Sequence, residues 1–235
     1  MLMRTENRVP ITNRLLAALP RAEYQRLLAN LEPVPLISGE VLYEPGDPIR
    51  YVYFPNDSLV SLLTLVDRNL AIEVGMVGRE GMVGIALALG IDVTSFRTMV
   101  QVTGTAMRMK AAPFRNELRH SLSLQREVHL YTHTLMRQVA QTAACNSFHV
   151  VEARLARWLL MTRDRICSDH FHLTHEFLAY TLGVRRVGVT KAAHALKQRK
   201  LIDYSRGNID IIDGHGLEAA SCSCYEMGKD RHGKA

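Results

Sequence analysis

The sequence predicts an α+β chain: a small antiparallel β-roll or jelly roll with helices before it, a long connecting helix, and a C-terminal winged helix-turn-helix. Three observations carry this. Short strand-like runs separated by turn residues fill the first half. Punctuation then stops, with neither Gly nor Pro between Pro113 and Gly183. Finally, the stretch Thr181–Arg206 holds seven basic side chains (Arg185, Arg186, Lys191, Lys197, Arg199, Lys200, Arg206) against Asp203 alone, a local +6 equal to the net charge of all 235 residues.

The elements follow in order. Between Asn13 and Leu31 the leucines 15, 16, 19, 27, 28 and 31 form the apolar faces of short helices interrupted by Pro20. Strand-like runs come next: Val41-Leu-Tyr43, Tyr51-Val-Tyr-Phe54, Ser58 to Val66, Ala71-Ile-Glu-Val74 and Met99-Val-Gln-Val102. Pro45-Gly-Asp-Pro48, Pro55-Asn-Asp57 and Asp67-Arg-Asn69 supply the turns. This roll with its leading helices is assigned to residues 13–110. In the long helix, residues 111–145, Leu124, Val128, Tyr131 and Leu135 are spaced four, three and four apart and form one stripe. Such a stripe packs on its own domain or pairs with a second copy, and the helix length favours a dimer seam. A further helix, Val150 to Ile166, carries Val151, Leu155, Trp158, Leu159 and Thr162 on one side.

Residues 146–213 are read as the winged helix-turn-helix. From His175 to His194 a helix, a turn and a second helix follow one another. Ala179 is small where the helices cross, Gly183 permits a left-handed turn, and Leu178, Leu182, Val184, Val189 and Ala192 fill the wedge. Thr174 is placed to cap the first helix, with Glu176 in its first turn. Leu201 to Ile212 reads as two strands around Gly207-Asn208, a hairpin wing with Arg206 at its tip. A basic cluster on this scaffold points to double-stranded DNA. Arg185, Arg186, Val187 and Lys191 are the expected base readers, and Thr174, Lys197, Arg199, Lys200 and Arg206 the expected phosphate contacts.

Composition bounds the remaining classes. At 47% hydrophobic and 22% charged the chain is ordinary for a globular protein. No apolar run approaches the roughly 20 residues that cross a bilayer, and residues 1–8 lack the apolar core of a signal peptide. A cytoplasmic protein without membrane contact is expected. Cys145, Cys167, Cys222 and Cys224 are too few for a disulfide framework. Cys222-Ser-Cys224, on what reads as a tail of residues 214–235, matches no recognisable zinc spacing, so no metal is expected, although a redox role stays open. His129 and His133 lie at i, i+4 without a third ligand, and His170, His172 and His175 precede the helix-turn-helix. No phosphate loop, nucleophile elbow or paired carboxylates suggest an enzyme, so no catalytic residues are assigned.

The order of β-roll, long helix and winged helix-turn-helix resembles the cyclic-AMP receptor protein/FNR (Crp/Fnr) family of bacterial transcription regulators. Gly39-Glu-Val-Leu-Tyr-Glu-Pro-Gly-Asp47 resembles the family's early roll turn, Glu152-Ala-Arg-Leu-Ala-Arg-Trp-Leu-Leu160 its helix entering the DNA-binding domain, and Gly183 to Leu201 its recognition helix. The likeness covers about residues 13–213. It implies a cyclic-nucleotide-binding-like roll, a homodimer on palindromic promoter sites, and RNA polymerase as a partner. The family's Arg-Glu pair followed by Arg corresponds here to Arg186, Val187 and Lys191. Valine cannot accept from cytosine N4, so a different half-site is implied.

For the family's nucleotide cassette, Gly84-Ile-Ala86 stands without the ribose-binding Glu, while Arg97-Thr98 resembles the phosphate clamp. Gly84, Arg97 and Thr98 are therefore the candidate effector pocket, with a cyclic nucleotide disfavoured and Glu80 a substitute only if the alignment shifts. The family's iron-sulfur members use cysteines mostly near the N-terminus, and here none precedes Cys145. Haem through one of the histidines stays open, though none precedes His120. The competing expectation is an effector module working through protein contacts with a vestigial DNA-binding motif, against which the basic face argues.

Overall fold

The computed structural model describes residues 12–67 and 70–228. Residues 1–8, Arg68 and Asn69 of the expected turn, and residues 229–235 of the expected tail lie outside them.

Two short helices lead: α1 (Arg14–Ala17) and α2 (Arg21–Leu28), the latter opening at Pro20. Asn13 caps α1 by accepting from Leu16 N, and its amide donates to the carbonyls of Pro55 and Gly81, both at 2.9 Å. This buried side chain fastens the helical lead to the roll.

The roll has two antiparallel sheets. One has the order β1-β7-β3, from β1 (Glu32–Leu36), β7 (Gly104–Lys110) and β3 (Tyr51–Pro55); the other has β2-β6-β4-β5, from β2 (Val41–Tyr43), β6 (Arg97–Val102), β4 (Leu59–Asp67) and β5 (Leu70–Val77). The alternating runs predicted five of these strands. The sequence reading missed β7 and β1; in β1, Pro33 and Pro35 cannot donate to a ladder and are accommodated because the strand lies at a sheet edge. Between the sheets, Val52, Phe54, Val60, Val77, Val100 and Met109 are fully buried.

The long helix is broken once. Helix α3 (Ala111–His120) ends at Ser121, whose hydroxyl accepts from Leu124 N at 3.0 Å and so starts α4 (Leu122–Phe148). The predicted stripe is real, but its partner is not a second chain. Leu124, Val128, Tyr131 and Leu135 are buried in the roll's own core beside Phe114, Leu16 and Leu27. The dimer-seam assignment of these four residues is therefore corrected: periodicity shows that a face is apolar, not what covers it.

After α4 the chain enters α5 (Val151–Ile166), β8 (His170–His172), α6 (His175–Leu182), α7 (Arg186–Gln198), β9 (Ile202–Ser205) and β10 (Asn208–Ile211). The last three-stranded sheet has the order β8-β10-β9. Residues 214–228 are not a loose tail. Helix α8 (Gly214–Ala220) and α9 (Cys224–Gly228) complete the module, with Leu217 and Tyr225 buried in a second core that also takes Leu59 of β4 and Met76 of β5. Roll and C-terminal module are thus welded by shared apolar residues.

Gly81 fixes how closely α4 approaches the roll, because a Cβ there would overlap the Tyr131 ring. Gly81→Ala is expected to lower stability by about 1–3 kcal/mol through this overpacking, read as a lower denaturation midpoint with an unchanged m-value.

Candidate nucleic-acid interface

The helix-turn-helix is assembled by local chemistry. Thr174 Oγ1 accepts from Phe177 N at 3.2 Å and caps α6, as its position predicted. At the other end Gly183, at φ +60°, donates to Tyr180 O, and Val184 donates to Ala179 O, the paired bonds that close a helix on a left-handed residue. Leu178, Leu182, Val189 and Ala192 are buried in the wedge between α6 and α7.

This packing leaves one face of α7 bare. Arg185 immediately precedes the helix, Arg186 opens it, and both are exposed together with Val187, Thr190, Lys191 and His194. Arg185, Arg186 and Lys191 form no ion pair among the described residues. His175 stacks on Tyr204 at 4.2 Å and meets Thr190 Oγ1 at 3.1 Å, tying α6, α7 and the wing together. Burial and the Arg186 charge keep its imidazole below the ordinary range.

The expected phosphate contacts divide. Lys200 and Arg206 are exposed and sit in the left-handed region, at φ +58° and +49°. Lys197 instead pairs with Asp203, and Arg199 with Glu152 at 2.9 Å. The wing turn is Arg206-Gly207, both at positive φ, rather than Gly207-Asn208, and Asn208 begins β10. His170 and His172 lie on β8, bonded to Asp210 and Asn208, and so serve the wing.

The candidate effector residues are not joined to one another by hydrogen bonds. Gly84, at φ +88°, packs towards Ile49, Val52 and the carbonyl of Tyr51. Arg97 pairs with Glu44 at 3.0 Å, and Thr98 is buried facing Phe96 O. Glu80 is engaged elsewhere, accepting from Arg165 of α5 at 2.8 Å.

Two clefts escaped the sequence reading because they form only when the domains meet. One of about 560 Å³ runs between Ala71 and Ile72 of β5 and Tyr180, Val184, Arg185 and Arg186. A more polar one of about 610 Å³ collects Arg14, Arg79, Arg163 and Arg165. A third constellation also went unread: Cys145, His149, Cys222 and Cys224 lie together, so the thiols are not simply those of a tail.

Comparison with known proteins follows this geometry closely. A family model described as a Crp-like helix-turn-helix domain matches residues 153–220. Residues 153–220 form a Crp-like helix-turn-helix domain. The Crp-like domain thus spans α5 through α8, ending beyond the wing where the sequence reading closed it. Among solved structures, FixK2 from Bradyrhizobium japonicum is similar at 13% identity, over 82% of this chain and 98% of that one, with a TM-score of 0.70. TTHB099, a CRP-family transcriptional regulator from Thermus thermophilus, gives 20%, 80%, 96% and 0.67. The c-di-GMP-responsive regulator CLP from Xanthomonas campestris gives 16%, 82%, 99% and 0.65. No curated protein matches significantly in sequence. The chain as a whole has the Crp/Fnr fold, and no described helix is long and apolar enough to cross a membrane.

The Crp-like domain is held to the roll by a buried polar contact. Trp158 Nε1 of α5 donates to Glu73 of β5 at 2.8 Å, and the Ser61 hydroxyl donates to the same carboxylate. Burial pushes the Glu73 carboxyl up from 4.5 to about 7, despite these hydrogen bonds. The folded state therefore holds this proton to higher pH than the unfolded state does. Its stability falls as pH rises from about 4.5 through about 7 and levels off above, by up to about 3 kcal/mol. In Glu73→Gln this part of the pH dependence should vanish, which urea melts across that interval measure directly.

Proposed function

We propose that the chain is a sequence-specific DNA-binding transcription regulator acting as a homodimer on palindromic promoter sites. The carrying observation is the bare face of α7, where Arg185, Arg186, Val187 and Lys191 project without acidic partners from a Crp-like helix-turn-helix. Arginine offers a bidentate fork to guanine O6 and N7, and Val187, 58% exposed, offers an apolar surface to a thymine methyl. Lys200, Arg206 and the Thr174 end of α6 set register on phosphates. Lys197 and Arg199 join them only by exchanging Asp203 and Glu152 for the duplex.

The second copy seats on the face of α4 opposite the buried stripe. Leu130, Met136 and Phe148 are exposed there, alongside Ala140 and Ala143. A two-fold axis along this helix would present two recognition helices to successive major grooves. The roll acts as an effector-responsive or ligand-independent partner, and RNA polymerase is the downstream contact. A cyclic mononucleotide is disfavoured in the pocket of Gly84, Arg97 and Thr98, because Glu44 already occupies the guanidinium of Arg97. The response of CLP to c-di-GMP makes that dinucleotide a further effector to include in binding assays.

Selection from a random duplex library should enrich a palindrome, measured by fluorescence anisotropy against salt and with cyclic AMP, cyclic GMP and cyclic di-GMP. Arg186→Ala should cost about 1–3 kcal/mol per half-site on the enriched duplex while leaving random duplex nearly unaffected. Equal losses on both would sink base reading by Arg186.

A further inference from the structure

The last turn of α4 carries Cys145, and His149, the C-cap of that helix, follows four residues later with its N–H donating to the Cys145 carbonyl. Cys222, in the link between α8 and α9, and Cys224, which opens α9, are brought against them. The four ligand atoms all lie within 4.8 Å of one another. Cys145 Sγ stands 3.5 Å from Cys222 Sγ, and His149 Nδ1 stands 3.5 Å from Cys224 Sγ. A tetrahedral zinc, with Zn–S of about 2.3 Å and Zn–N of about 2.0–2.1 Å, spaces its ligand atoms about 3.6–3.8 Å apart. We propose that Cys145, His149, Cys222 and Cys224 form a mononuclear Zn²⁺ site that clasps the C-terminal helices to the end of the long helix.

The surroundings are built for a charged centre. All three thiols are buried, and Gln141 Nε2 donates to Cys224 Sγ at 2.9 Å, the kind of outer contact that orients a ligand. Arg154 and Arg157 line the pocket that reaches Cys145, and the Nε atoms of both are buried without a hydrogen-bond partner among the described residues. Three thiolates, a neutral imidazole and Zn²⁺ sum to one negative charge. That charge gives the two guanidiniums the partner that a trio of neutral thiols does not. On binding, the three Cys S–H protons pass to solvent as three Zn–S bonds form, and His149 ligates through Nδ1 with its proton on Nε2. The soft ligand set selects against magnesium and calcium. So tight a ring of four donors encloses one ion, whereas an iron-sulfur cluster would spread its ligands over several metals.

The site also has a mechanical position. His149 caps the C-terminal end of α4, and Arg154, one turn into α5, donates to Asn146 of α4 at 2.7 Å and to the carbonyl of Leu182 at the end of α6. A metal here fixes the corner where the long helix hands over to the helix-turn-helix.

The test uses the full-length protein, reduced, stripped with chelator and reconstituted anaerobically with Zn²⁺ or Co²⁺. One zinc per chain should remain after gel filtration. The cobalt form should show intense thiolate-to-cobalt charge transfer and the visible bands of tetrahedral coordination. Cys222→Ser should lose about a third of the charge-transfer intensity, one of three thiolates, whereas Cys167→Ser, at an exposed cysteine outside the cluster, should retain it all. If Cys222→Ser does not fold, the native and Cys167→Ser spectra decide. Failure to retain zinc, a pale octahedral cobalt spectrum, an iron-sulfur chromophore, or a native mass lighter by two hydrogens from a Cys145–Cys222 disulfide would each overturn the assignment.

Discussion

The arrangement of the whole chain depends on one packing contact, the seating of α4 on the roll. Leu124, Val128, Tyr131 and Leu135 enter the space beside Phe114 and the lead helices, and Gly81 leaves the gap that the Tyr131 ring needs. Because α4 runs on unbroken to Phe148, its inclination decides where α5 begins and therefore where the helix-turn-helix stands. The contact is apolar, close-packed and unforgiving of volume change. It also gives the two faces of α4 different surroundings, one buried within the chain and the other exposed.

Polar contacts then refine the relation between roll and DNA-binding domain. Glu73 to Trp158, Glu80 to Arg165 and the Gln138 amide to the backbone of Met76 all cross from the roll to the helices behind it. Each joins groups withdrawn wholly or partly from water, where an unmet partner is costly. Such a junction favours discrete positions over gradual sliding. Helix α5 meets both parts, touching the roll by Trp158 and the end of α6 by Arg154.

How much of this was legible depended on how local the cause was. The helix-turn-helix could be read because Thr174, Ala179, Gly183 and Val189 act within a few residues of one another, and all four took the expected places. Five strands were visible from alternation and turns, whereas β7 went unread and β1 was hidden by Pro33 and Pro35, tolerated only through its edge position. The stripe on α4 was legible as a stripe, but its covering was a tertiary fact. The same limit hid the cysteine cluster. Cys145 and Cys222 lie 77 residues apart, and an x-1 spacing reveals nothing until α8 and α9 fold back along α5. The ion pairs of the basic set were hidden for a related reason, since sequence shows the charges of Lys197 and Arg199 but not the acids that meet them.

The docking of α6 against β5 has a further consequence. Strand β5 ends its four-stranded sheet, so one side of its backbone has no strand beside it. In this structure the Gly183 turn presses on Ile72, and Gln138 engages Met76, so neighbouring helices cover part of that border. A bare strand border invites pairing with a stranger's strand. Any rearrangement that swings the reading head away from the roll would uncover this one. That form would carry an open strand border, and its solubility would fall.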